Sequence, residues 1–151
     1  MTALKLPLDG ACRCGRVKIR ISASPLLTMA CHCRGCQRMS SSAYSLTAAI
    51  PAEGFAVTEG EPVIAGANKE AGHHFCPDCM TWMFTRTPGL DFFVGVRPTM
   101  LEDTGWYSPF IETCTNAKLP WAKTPAAHSY DTFPAMEEFD GLIAAYAASQ
   151  V

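Results

Sequence analysis

The chain has 151 residues, which suits one domain of the usual ~100–200 residues. Hydrophobic residues make up 48% and charged residues 17%, a globular balance that excludes a disordered chain, and no run approaches the ~20 apolar residues of a membrane span. The formal net charge is −2 with 12 scattered Lys and Arg, which argues against nucleic acid as the main partner.

The opening, MTALKLPLDG, lacks the apolar core of a secretory signal, so a cytoplasmic protein with no membrane partner is expected. The first periodic stretch is RVKIRIS, where Val17, Ile19 and Ile21 alternate with Arg16, Lys18 and Arg20, the pattern of a half-buried strand. Further strands are predicted in LLTMA, AYSLTAAI, FAVTEG, PVIAGAN, HHFC, TWMFTR and FFVGV, short runs separated by Pro, Gly and Asn. Residues 115–135, interrupted by Pro120, Pro125 and Pro134, read as a connecting strap. Only the C-terminal end has a helical period: Phe139, Leu142, Ile143 and Tyr146 form one apolar stripe, expected to pack on the core. The fold class expected is mainly β with a short C-terminal helix.

Seven of the eight cysteines fall into three groups. They are Cys12 with Cys14 in CRC, Cys31, Cys33 and Cys36 in CHCRGC, and Cys76 with Cys79 in CPDC. Without an export signal, such clusters point to metal binding or catalysis rather than disulfides. Two short pairs from distant parts of the chain can close one four-thiolate zinc shell, so Cys12, Cys14, Cys76 and Cys79 are expected to hold a structural zinc. Gly15 and Pro77 suit the turns of such knuckles. Cys31, Cys33 and Cys36 then form a second site with one position free, as catalytic zinc sites have. Buried free thiols or an oxidised pair remain the alternative for the first group. For the second, the alternatives are a closed site completed by a fourth ligand or no metal at all. His32, His73, His74 and Cys114 are the possible fourth ligands. His32 sits between two cysteines and is expected to point away, the other two histidines to pack or face solvent, and Cys114 to be a small buried apolar group.

The ordered set GACRCGRVKI, CHCRGCQRMSSSAYS, FCPDC and KLPWAKTP resembles the glutathione-dependent formaldehyde-activating enzyme family, which also includes centromere protein V. The resemblance covers residues from about 10 to 125 and implies a single domain over 1–151 with a zinc-bound, β-sandwich-like fold. It also implies a structural zinc on Cys12, Cys14, Cys76 and Cys79 and a catalytic zinc on Cys31, Cys33 and Cys36. The activity it implies is a carbon–sulfur lyase reaction: condensation of glutathione with formaldehyde, or the reverse. A zinc-stabilised binding module and a redox sensor built on the clustered thiols are the rival readings. Family members commonly carry Gly where this chain has Met80 and Ser41, so those two positions are expected at turns that favour positive φ. Arg34 and Arg38 flank the middle cysteines, where they could attract the carboxylates of a peptide thiol, although solvated arginines are the plainer reading. Lys118 and Trp121 match the family pattern, with Trp121 expected to pack.

Overall fold

The computed structural model describes residues 1–65 and 69–151. In chain order the strands are β1 (Leu8–Ala11), β2 (Lys18–Ile21), β3 (Leu27–Cys31), β4 (Ser45–Pro51), β5 (Phe55–Glu59), β6 (Val63–Ile64), β7 (His73–Phe75), β8 (Trp82–Thr85), β9 (Phe93–Val96), β10 (Ile111–Thr113) and β11 (His128–Ser129). Helix α1 (Arg34–Ser40) lies between β3 and β4, and α2 (Phe139–Ser149) closes the chain. The protein is therefore mainly β with a short C-terminal helix, as its alternating runs predict. The end of the PVIAGAN run, 66–68, lies outside the described residues.

The chain divides into two compact units, one of Met1–Pro25 with Ala48–Tyr107, the other of Leu26–Thr47 with Ser108–Val151. In the first unit β2 pairs antiparallel with β1 on one side and β5 on the other. The alternation of β2 decides its facing: Ile19 and Ile21 are fully buried, while Lys18 and Arg20 point outward to Glu59 and Asp9. A second antiparallel run goes from β4 through β9, β8 and β7 to β6. Both sheets send side chains into one core, in which Ile19, Ile21, Ile50, Met83, Phe84, Val94 and Val96 meet. Phe55 and Phe84, one from each sheet, lie 4.8 Å apart. That shared core gives this unit the sandwich-like character expected, and Cys12 and Cys76 are part of it.

In the second unit β10 lies between β3 and β11, parallel to both. Helix α2 buries Leu142 and Tyr146 from the predicted stripe, and the Tyr146 ring meets Phe110 edge-on at 5.5 Å.

Four elements went unpredicted. Helix α1 has seven residues and buries only Gln37, so it carries no apolar stripe for a period to reveal. It exists because Cys33 caps it, accepting the backbone N–H of Cys36 at 3.2 Å, and because Ser41 ends it in the left-handed region at φ 50. The short β1 has no buried apolar alternation. Strand β10 hides Glu112 and Thr113, polar residues that mask its burial. Strand β11 is a two-residue pairing inside the predicted strap.

Candidate metal centres

The first centre is built by two tight turns of the first unit. After β1, Cys12 donates its backbone N–H to Val17 and accepts that of Gly15, whose φ of 80 closes the knuckle. After β7, Cys76 donates to the Thr81 carbonyl and accepts from Met80. Met80 has φ 58, so it occupies the glycine-type position expected of it. The turns bring Cys12, Cys14, Cys76 and Cys79 together with all four sulfurs within 4.8 Å of one another. The Cys12–Cys14 and Cys14–Cys76 sulfur separations are 3.6 and 3.7 Å. A tetrahedral shell with zinc–sulfur bonds of ~2.3 Å has edges of ~3.8 Å, so the donor set fits zinc in both kind and spacing.

Polar groups of the two knuckles surround these sulfurs. The backbone N–H groups of Val17 and Cys79 point at the Cys12 and Cys76 sulfurs, at 3.3 and 3.5 Å. The Thr81 hydroxyl lies 3.2 Å from Cys79 and, as the leading cause, draws that thiol's pKa down to about 5. Thr81 also accepts the Arg13 N–H from the opposite knuckle at 3.1 Å. It is a supporting residue that sequence reasoning missed, since a threonine beside a CxxC pair carries no spacing signal of its own.

The second centre lies at the end of β3 and the start of α1. Cys31, Cys33 and Cys36, each half-buried, place their sulfurs within 4.8 Å of one another. Among the described residues, these two are the groups with metal-ligand geometry. The Cys36 side chain, as the largest cause, lowers the Cys31 pKa to about 5, and Cys31 in turn raises that of Cys36.

None of the four possible fourth ligands joins this trio. The His32 ring is fully buried and turned away, with Nε2 2.9 Å from Glu112 Oε2. In the first unit, His73 Nδ1 meets the Thr85 hydroxyl at 2.9 Å, and its ring lies edge-on to Trp82. His74 donates from Nδ1 to the Gly72 carbonyl and stacks on Phe84 at 4.5 Å. Cys114 is buried as expected, but it neighbours Cys31: burial first, then that thiol, raises its pKa to about 11.

Arg34, Gln37, Arg38 and Ser41 share one face of α1, where with Leu119 and Trp121 they line a groove of about 560 Å³. Cys36 is two residues from each arginine, roughly 200° around the helix, so the arginines face away from it. Arg34 also donates to the Gln37 side chain. Trp121, expected to pack, is 71% exposed, and Ala122 beside it takes the buried position at 4%.

The residue least visible in the sequence is Glu112. Its carboxylate, 8% exposed, accepts from His32, Lys118, Thr124 and Ser129 at 2.7–3.0 Å. Burial alone would raise its pKa, but the Ser129, Lys118, Thr124 and His32 donors outweigh burial and bring it down to about 2 from an ordinary 4.5. A carboxylate depressed on folding stabilises the fold above the unfolded pKa, and that contribution is lost as pH falls through the folded pKa. Glu112→Gln is therefore expected to cost on the order of 3 kcal/mol at neutral pH. The gap between variant and parent should close between pH 4.5 and about 2. Denaturant melts across that range check it; a gap that stays constant with pH would refute the assignment.

The sequence model of the glutathione-dependent formaldehyde-activating enzyme family matches residues 7–117. The chain belongs to this family. A Penicillium rubens protein named "Putative glutathione-dependent formaldehyde-activating enzyme" is 27% identical over 106 residues, 65% of this chain and 54% of that protein. The chain thus spans about half the length of the curated relative it matches. Among solved structures, a Rhodobacter sphaeroides protein has the same fold at a TM-score of 0.51 and 22% identity, covering 64% of this chain and 89% of that one. The described residues of this family member include no helix long and apolar enough to cross a membrane.

Proposed function

We propose that this chain is a zinc-dependent carbon–sulfur lyase-type enzyme that adds a thiol of the glutathione kind to a small aldehyde, formaldehyde first, or runs the reverse. The observation that carries this reading is the trio Cys31, Cys33 and Cys36, whose sulfurs converge within 4.8 Å. Three thiols suit a zinc that keeps a position for substrate, and four suit one that is closed. The reading therefore gives Cys12, Cys14, Cys76 and Cys79 the structural zinc and the trio the catalytic one. The family match over residues 7–117 draws on segments of both compact units, which supports treating 1–151 as one working domain.

Zinc held by the trio would supply a site that lowers the pKa of an incoming thiol. The residues of the chain do the remaining work. His32 and Gln37 are tied into the fold beneath the cysteine loop, the ring spent on Glu112 and the amide on the His32 and Ala117 carbonyls. In the reaction the substrate sulfur forms a bond to the aldehyde carbon, the carbonyl π pair passes to oxygen, and the thiol proton ends on that oxygen.

The test is formation of the hydroxymethyl thioether from glutathione and formaldehyde, followed by NMR against the uncatalysed background. Zinc-replete protein is expected to speed the approach to equilibrium in proportion to its concentration. Protein with two zinc ions per chain and no acceleration with any small aldehyde would refute the enzyme reading, leaving a zinc-stabilised binding module without catalysis.

A further inference from the structure

Glu112 and His32 form a buried pair that the proposed chemistry does not use. His32, between two candidate ligands, is fastened at three points. Its backbone N–H donates to the Thr113 carbonyl at 2.9 Å, its carbonyl accepts from Gln37 Nε2 at 2.7 Å, and its ring donates to Glu112 at 2.9 Å. The ring also lies edge-on against Tyr44 at 5.3 Å. The backbone is extended on both sides, through β3 up to Cys31 and at Cys33 with φ −60 and ψ 153. Side chains alternate along extended backbone. Holding His32 inward therefore turns Cys31 and Cys33 the opposite way together.

Glu112 is itself held against movement. Oε1 accepts from Lys118 and Ser129, and Oε2 from His32, Lys118 and Thr124. A buried carboxylate is costly unless its hydrogen bonds are made, and an apolar side chain at this point of β10 would fill the space without needing five of them. The costly group stands where it reaches the one residue that separates Cys31 from Cys33.

We propose that Glu112 is a positioning residue of the Cys31, Cys33 and Cys36 centre, acting through His32 to hold the thiols of the Cys-His-Cys loop at metal-ligand separation. The inference rests on the metal reading of that trio given above. Outer partners that orient a metal site typically change its affinity about 10- to 100-fold when removed. The size expected here follows from that.

The experiment begins with zinc-loaded protein. A mild chelator strips the labile metal, and Co(II) is then titrated while the thiolate charge-transfer bands and the competition with a chromogenic chelator are read. The parent protein is expected to take one Co(II) per chain. Glu112→Gln and His32→Phe should weaken that binding at least about tenfold and alter the bands, whereas His32→Gln, which keeps a donor toward Glu112, should restore it. The control is Thr124→Ala with Ser129→Ala, which removes two of the carboxylate's donors but leaves His32 in place: stability should fall with Co(II) affinity unchanged. Parent-like Co(II) binding in both Glu112→Gln and His32→Phe would overturn the proposal. So would an equal loss of affinity in the control, since the pair would then be only a structural staple. A parent protein that takes no Co(II) beyond its retained zinc would overturn the metal reading of the trio, and this proposal with it.

Discussion

Cys76→Ser is expected to unfold the first unit or to lower its melting temperature by more than about 15 °C, together with loss of one metal ion per chain. The size follows from where the residue sits. Cys76 is fully buried and Cys12 is 4% exposed, both within the hydrophobic core that Ile19, Phe84 and Val96 complete. Removing one thiol leaves three soft donors where the shell needs four. Structural zinc contributes about 10–16 kcal/mol of folding free energy in small zinc domains, comparable with or above the whole stability of an ordinary domain. Even a fraction of that would dominate here. Circular dichroism melts with metal analysis on the same samples test it. A variant that has lost its metal yet melts within a few degrees of the parent would show that the core holds without the shell.

Cys33→Ser is expected to do nearly the reverse, removing turnover while leaving the fold in place. Cys33 lies at the head of α1, where its sulfur accepts the Cys36 N–H. Serine is among the favoured capping residues, so the helix keeps its start and stability should change by less than about 1 kcal/mol. The trio, by contrast, loses one of its three soft donors. Zinc content should fall from two to one per chain and the adduct-forming rate to background, at least about 100-fold down, with the four-cysteine site unaffected. Full activity in this variant would remove the trio from the chemistry. The two substitutions together separate the roles: one cysteine change acts on stability, the other on rate.

Much of this was legible in the residues. The pairs CRC and CPDC and the triplet CHCRGC carry their geometry in their spacing, because a tight turn between two cysteines leaves their sulfurs little choice but to converge. The alternation in RVKIRIS and the stripe from Phe139 to Tyr146 declared their elements for a similar reason: each buries one face, and the period of that face is written locally. The turn positions of Met80 and Ser41 were legible too, and both have positive φ. Helix α1 was hidden because it buries one polar side chain and is held by a cysteine cap. Trp121 was misjudged because an aromatic residue in a strap gives no sign of which neighbour will take the buried place.

The sequence by itself determined the family, the mainly β class and the partition of seven cysteines into a group of four and a group of three. Only the tertiary structure decided that Glu112 is buried, that it gathers His32, Lys118, Thr124 and Ser129, and that Arg34 and Arg38 line a groove with Leu119 and Trp121. The physical reason is range. Knuckles, caps and periodic faces are set by neighbours within a few residues, whereas the hydrogen bond from His32 to Glu112 spans 80 positions. It exists because β3 and β10 lie side by side in register, Ala30 opposite Glu112 and Cys31 opposite Thr113. No local pattern announces that pairing, and with it comes the support beneath the cysteine loop.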